Sequence, residues 1–266
     1  MQIPFGEWLP DQPEYNNPGA NTANNVYFAA SSYKRFPSLV NYSANNIAKD
    51  SRGAGSFRDN SNTVFNFVAT NSDIHQLASG TFTSRKSGLT GGNTDYFTFT
   101  QFGNYIIASN GVDAPQYYLM GTSTNFANLS TIATSGTVPV FKCSGVIRDF
   151  LVTGNHVGAS NRIQWSGIND ISTWAAGTKQ SDLQDLPGSG GQITHITSGE
   201  ISYIFRQNQI VRMDYVGGAT VFRLSVISPN RGAVLGRTVC QDNRRVFFYA
   251  DDGFYELNGD QVVSIG

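Results

Sequence analysis

The sequence predicts an all-β fold, a β-propeller of about five four-stranded blades behind an irregular N-terminal arm. Three observations predict it. Turn formers and aromatics dominate the composition. An apolar strand, a short turn and a returning strand recur along the chain. The last two of these units each read as four strands joined by hairpin-sized turns.

The composition suits short strands. Of 266 residues, 39% are hydrophobic and 14% charged, against an average of about a quarter charged. Gly (28 residues), Asn, Ser and Thr fill the gap and serve tight turns. Aromatics reach 12%, with 18 Phe and 12 Tyr, as expected where strand faces pack on each other. The net charge of −1 argues against electrostatic capture of nucleic acid or of an anionic membrane. No apolar run approaches the roughly 18 residues of a membrane span. The start, Met1-Gln2-Ile3-Pro4, has neither the basic nor the apolar region of a signal peptide, so folding in a cytoplasm is expected.

The elements follow in order. Residues 1–50 read as an arm and lead-in. Segment 1–25 is rich in Asn and Pro and too poor in aliphatics to build a core. A short strand is expected at Asn25–Ala29. Residues 51–266 read as the propeller, with blades near 51–90, 91–134, 135–188, 189–229 and 230–266. Their strongest strand pairs are Val64–Val68 with Ile74–Leu77, Tyr105–Ala108 with Gln116–Leu119, and Asp149–Val152 with Arg162–Trp165 across a turn at Gly154–Ser160. Tyr203–Phe205 with Ile210–Tyr215 and Val246–Tyr249 with Phe254–Leu257 complete the series. The steps between them, about 40 to 55 residues, are those of propeller blades. The fourth unit divides into Gln192–Thr197, Ile201–Arg206, Ile210–Tyr215 and Thr220–Ser225. The fifth divides into Val234–Cys240, Arg245–Ala250, Phe254–Leu257 and Gln261–Ile265. A strandless insertion, Gly167–Gly188, interrupts the third. Only Asp170–Trp174 offers a single helical turn. A β-sandwich is the competing fold, and regular spacing of paired strands favours the propeller. The chain stops just after a completed blade, which leaves closure of the ring open.

No local constellation reads as a catalytic or metal site. His75, His156 and His195 lie in three different units. Asp251, Asp252 and Glu256 form the tightest acidic cluster, and Asp252-Gly253 is a hairpin-turn signal. Asp113 and Asp149 sit in other units, with nothing local to bring them together on a central channel. Asp59–Asn62 lacks the Gly and distal Glu of a calcium loop. Gly188–Gly191 precedes a strand rather than a helix, so it is no phosphate loop. Cys143 and Cys240 lie in apolar runs and read as buried free thiols. Neither enzyme activity nor a cofactor is expected. Trp8, Tyr15, Tyr33, Phe36 and Trp174 are candidate partner contacts, because Trp and Tyr anchor interfaces.

The stretches Arg148–Val152, Asn161–Ser166 and Asn169–Trp174 resemble tail proteins of short-tailed bacteriophages. Gln180–Leu186, Gly190–Ile196, Tyr203–Arg206, Tyr215–Gly218 and Phe222 continue the likeness, as does the lead-in Asn21–Pro37. The family is that of the packaged-DNA stabilisation proteins, also called tail hub or nozzle proteins. The resemblance implies a non-enzymatic virion protein, made in the bacterial cytoplasm. It would form a ring of copies, commonly sixfold, below the portal and adaptor and beside other tail proteins. Genome DNA would pass without sequence-specific binding. The alternatives are a glycan-binding propeller and, after it, a glycosidase.

Overall fold

The computed structural model describes residues 6–9, 11–29 and 32–266. Met1–Pro4, read above for a signal peptide, lie outside them. The chain divides into two compact units, residues 1–42 and 43–266. Residues 43–50, grouped with the arm on sequence, belong to the second: the Ala44 amide donates to the Gly80 carbonyl at 2.7 Å.

The first unit holds a 3-10 turn at Glu14–Asn16 and a hairpin, β1 (Val26–Ala29) with β2 (Ser32–Arg35). The Leu9 amide donates to the Ala20 carbonyl and the Ala20 amide to the Glu7 carbonyl, both at 2.8 Å, and the Asn17 side-chain amide donates to the Leu9 carbonyl at 2.7 Å. None of its residues whose burial is described is buried, as the scarcity of aliphatics leads one to expect.

The second unit contains five four-stranded antiparallel sheets, each contiguous in sequence. Blade one is β3 (Gly53–Arg58), β4 (Val64–Ala69), β5 (Ile74–Ala78) and β6 (Thr81–Lys86). Blade two is β7 (Thr98–Phe102), β8 (Tyr105–Ser109), β9 (Gln116–Leu119) and β10 (Ala127–Asn128). Blade three is β11 (Phe141–Ile147), β12 (Phe150–His156), β13 (Ala159–Trp165) and β14 (Asp182–Asp185). Blade four is β15 (Ile193–Ile196), β16 (Ile201–Arg206), β17 (Ile210–Tyr215) and β18 (Phe222–Ser228). Blade five is β19 (Cys240–Asp242), β20 (Arg245–Ala250), β21 (Gly253–Asn258) and β22 (Gln261–Ser264). The first strands are innermost, since β3, β7, β11 and β15 lie side by side in succession.

Successive blades approach each other closely beside that inner row. A Cβ on Gly145 would sit 2.7 Å from the Thr197 carbonyl, and one on Gly236 would sit 1.8 Å from that of Thr194. Only glycine fits such contacts. Side chains tie the row together: Thr100 Oγ1 meets Ser144 Oγ at 2.8 Å, and Gln241 Nε2 donates to the Ser198 carbonyl at 2.8 Å.

Four apolar clusters fill the spaces between successive blades. Phe67, Ile74, Ile106, Tyr118 and Phe126 join blades one and two. Phe102, Ile107, Phe141, Leu151 and Trp174 join two and three. Phe150, Trp165, Ile204, Met213 and Phe222 join three and four. Phe205, Ile210, Phe248 and Leu257 join four and five. With neighbours on both faces, β12 is buried at all its positions. None of the four clusters joins blade five to blade one. The strand pairing puts Phe247, Tyr249, Phe254 and Val263 on the other face of blade five. There Phe254 is 58% and Val263 55% exposed. On blade one the corresponding face carries Val64, Val68, Leu77 and Phe82.

Five local expectations are corrected. The insertion after β13 is not strandless, because Asp182–Asp185 pair with Arg162–Trp165 as β14. Residues 234–239 are loop and 3-10 turn, and the inner strand of blade five is only Cys240–Asp242. Its outward setting leaves Cys240 exposed, while Cys143 is buried. The β12–β13 turn narrows to Val157-Gly158, since His156 pairs with Ala159. Asp170–Trp174 forms bridged turns rather than a helical turn; among the described residues the only helices are three 3-10 turns.

The two faces of blade five give a direct test. Phe248→Ala removes a side chain buried between blades and is expected to cost about 3–5 kcal/mol in urea denaturation. Phe254→Ala, on the uncovered face, is expected to cost about 1 kcal/mol or less. Equal losses would contradict the assignment of faces.

Candidate functional site at the axial mouth

The inner strands begin at one end of the blade unit and converge there on a cavity of about 380 Å³. That size suits a small molecule. Blade two contributes Asp95, Tyr96 and Thr98, blade three Lys142, and blade four His195. Arg237 arrives on the 3-10 turn Gly236–Thr238 that precedes β19. The Arg237 guanidinium lies 3.8 Å from the Tyr96 ring centroid, within cation–π range. Lys142 is steered by Gly111, which has a φ of +74° and so stands where an L side chain is strained. A Cβ there would meet Lys142 Cγ at 2.3 Å, so the lysine stem lies across the glycine. Asp95 Oδ2 accepts the Gly92 amide at 2.8 Å.

The histidines do not gather. His75 lies on β5 of blade one, His156 on β12 and His195 on β15. Burial pushes His195 down to about 4, against a hydrogen bond with the Gly236 backbone. Burial likewise pushes His156 down to about 4, although it bonds Thr153. Both rings are therefore neutral near pH 7. Burial also holds the Cys143 thiol up at about 12, where it is inert.

The carboxylates are committed elsewhere. Burial would raise Asp113, but bonds from Thr90 and Asn110 outweigh it and hold its pKa low. Asp113 follows β8 near the mouth, whereas Asp149 lies in the β11–β12 turn at the opposite end of blade three. Asp252 pairs with Arg231 and Glu256 with Arg245, so the acidic cluster is a hairpin with two ion pairs. Asp59 Oδ1 accepts the amides of Ser61 and Thr63 and shapes a turn. Among the described residues no group of His, Cys, Asp and Glu is placed to hold a metal.

Four of the aromatic candidates lie in the first unit. Trp8 is 56%, Tyr15 91% and Phe36 51% exposed, while Tyr33 is half-buried and donates to the Gly6 carbonyl at 2.8 Å. Trp174 is not a surface anchor. It is 2% exposed in the cluster between blades two and three, and its indole N–H donates to the Ile171 carbonyl at 2.8 Å.

Sequence reasoning missed Arg206, a buried arginine with no ion pair to a carboxylate among the described residues. It donates to the carbonyls of Gly191 (2.9 Å), Pro187 (2.7 Å) and Gly188 (3.1 Å), and to Gln209 Oε1 (2.8 Å). Gly188–Gly191 thus wraps the protein's own guanidinium. A Cβ on Gly190 would sit 2.9 Å from Arg206 Cζ. A lone Arg at a strand end carries no sequence signal of this role.

No family model matches the chain, and no curated protein matches it. Solved structures do. The chain is similar to the extracellular domain of a putative hybrid two-component system from B. thetaiotaomicron, with a TM-score of 0.53 and 10% identity. The match covers 82% of this chain and 28% of that one. It is also similar to a catalytically inactive virginiamycin B lyase from Staphylococcus aureus solved with quinupristin. There the TM-score is 0.45 and the identity 12%, over 78% of this chain and 64% of that one. The chain therefore spans less than two thirds of either structure. At these identities the likeness concerns fold, and the five stacked sheets are blades of a β-propeller.

Two measurements test this description. Arg206→Met strands three loop carbonyls and is expected to cost about 2–4 kcal/mol, with faster amide exchange at 187–191. Unchanged stability and exchange would contradict the clamp. The histidines set a pH dependence. Their folded pKa values of about 4 lie below the ordinary 6.5, so the unfolded chain binds more protons between these values. The stability they contribute is complete above pH 6.5 and is lost as pH falls toward 4. In His156→Gln/His195→Gln the urea midpoint should fall less steeply across that window; an unchanged slope would contradict it.

Proposed function

We propose that the chain is a non-enzymatic virion component of a short-tailed phage. It forms part of the ring or nozzle below the portal and adaptor. Copies of the chain, six on the family pattern, conduct and retain the packaged DNA there.

One observation carries the reading. Most residues of the tail-protein likeness meet at blade three, its loop and the junction with blade four. Arg148 pairs with Glu200 at 3.1 Å and lies 4.8 Å from the Tyr215 ring centroid. The Tyr215 hydroxyl donates to Gln180 Oε1, and the Trp165 indole donates to the Gln180 carbonyl. Phe222 packs edge-on against Phe150 and Trp165, with both centroids at 5.1 Å. Arg162 grips Asp185 with two bonds and thereby fixes β14 to β13. Asp170 binds Ser172, Thr173 and Lys179 and fixes the loop between them. These side chains hold a shape. A likeness concentrated in scaffolding supports a shared architecture and an assembly role over shared catalysis.

Two further features support it. The net charge of −1 suits a conduit, because attractive phosphate contacts would hinder DNA passage. The exposed Trp8, Tyr15 and Phe36 suit docking of the first unit on a neighbouring tail protein.

The test is assembly. Particles made without the chain should package DNA but lose it, and electron microscopy should show the lower ring missing. Deleting residues 1–24 should leave thermal unfolding of the blade unit unchanged and reduce incorporation by about tenfold. Particles that keep their DNA and ring without this chain would overturn the reading.

A further inference from the structure

The geometry points to a binding site for a hydroxylated small anion, a sugar acid or sugar phosphate, in the cavity at the axial mouth. Lys142 and Arg237 both line it. Neither has a carboxylate partner among the described residues, whereas Arg148, Arg162, Arg212, Arg231 and Arg245 all have one. Two cations without a carboxylate partner lining one concave site suit an anion, because each keeps donors that no ion pair occupies.

The receptor is held in shape from outside. Gly111 supports the lysine stem, and the Tyr96 ring supports the guanidinium. The turn that carries Arg237 is pressed onto blade four at Gly236, so arginine and lysine reach the cavity from separate blades. Asp95 adds a carboxylate acceptor, which suits a hydroxyl on the same ligand. Phe97, Leu235 and Val239 supply apolar wall. A volume of about 380 Å³ takes one sugar ring with its acidic group. The assignment does not rest on the ring-assembly reading.

The experiment is an amide chemical-shift titration of the intact protein with glucose 6-phosphate, glucuronate and glucose. At least one of the two anions should shift resonances of residues 94–98, 142 and 235–239 saturably below about 10 mM. The arms distinguish phosphate from carboxylate. Lys142→Gln/Arg237→Gln should weaken that anion at least about tenfold. Excess inorganic phosphate should displace it from the wild-type protein, a readout that does not depend on the variant folding. Equal binding of glucose, shifts scattered over the surface, no saturation by either anion, or full affinity in the double variant would each overturn the assignment.

Discussion

A four-stranded sheet with apolar side chains on both faces needs a neighbour on each side. That constraint organises the molecule. Blades two, three and four have neighbours on both sides, and their central strands are buried to match, β12 throughout. Blades one and five have a neighbour on one side only. Their inward faces are as apolar as any in the array, with Phe67 and Phe248 almost fully enclosed. On their outward faces large side chains are less enclosed: Val68, Leu77 and Phe82 of blade one are half-buried, and Phe254 and Val263 of blade five are exposed. Each buried phenylalanine stabilises the unit by about 1.5–3 kcal/mol through burial alone, so the four inter-blade clusters dominate its stability.

The axis obeys a second constraint. Inner strands of successive blades approach so closely that backbone meets backbone at Gly145 and Gly236. Buried polar groups there must find partners, as Thr100 and Ser144 do in each other, while the exposed Gln241 ties its blade to the Ser198 carbonyl. Packing the strand starts together also gathers Tyr96, Lys142, His195 and Arg237 around one cavity. The mouth is thus a consequence of how blades stack, and its lining comes from four different blades.

Much of the fold was legible because the middle strands of each blade announce themselves. β4–β5, β8–β9, β16–β17 and β20–β21 are apolar runs on either side of Asn, Gly or Asp turns. Outer and inner edges were harder. β14 (Asp-Leu-Gln-Asp) is exposed at all its positions, so burial imposes no alternation on it; what holds it is the Arg162–Asp185 pair. β19 is three residues long and exposed at all of them, so no burial pattern marks it. Trp174 looked like an anchor because it lies in the insertion Gly167–Gly188, and its neighbours Ile107 and Leu151 belong to other strands. The mouth was illegible for the same reason: Tyr96, Lys142 and Arg237 share no motif, and only the stacking of blades makes them neighbours.

The central claim is that this chain is an open stack of five blades, with no apolar cluster among the described residues joining blade five to blade one. Nuclear Overhauser contacts between methyl and aromatic groups of the two ends test it most directly. The account predicts strong contacts between Phe205 and Phe248 across the blade four–five junction, where the ring centroids are 5.1 Å apart. It predicts none between Phe254 or Val263 of blade five and Val68 or Leu77 of blade one in the monomeric protein. Intramolecular contacts between those two faces would mean that the ring closes on five blades, and would contradict it.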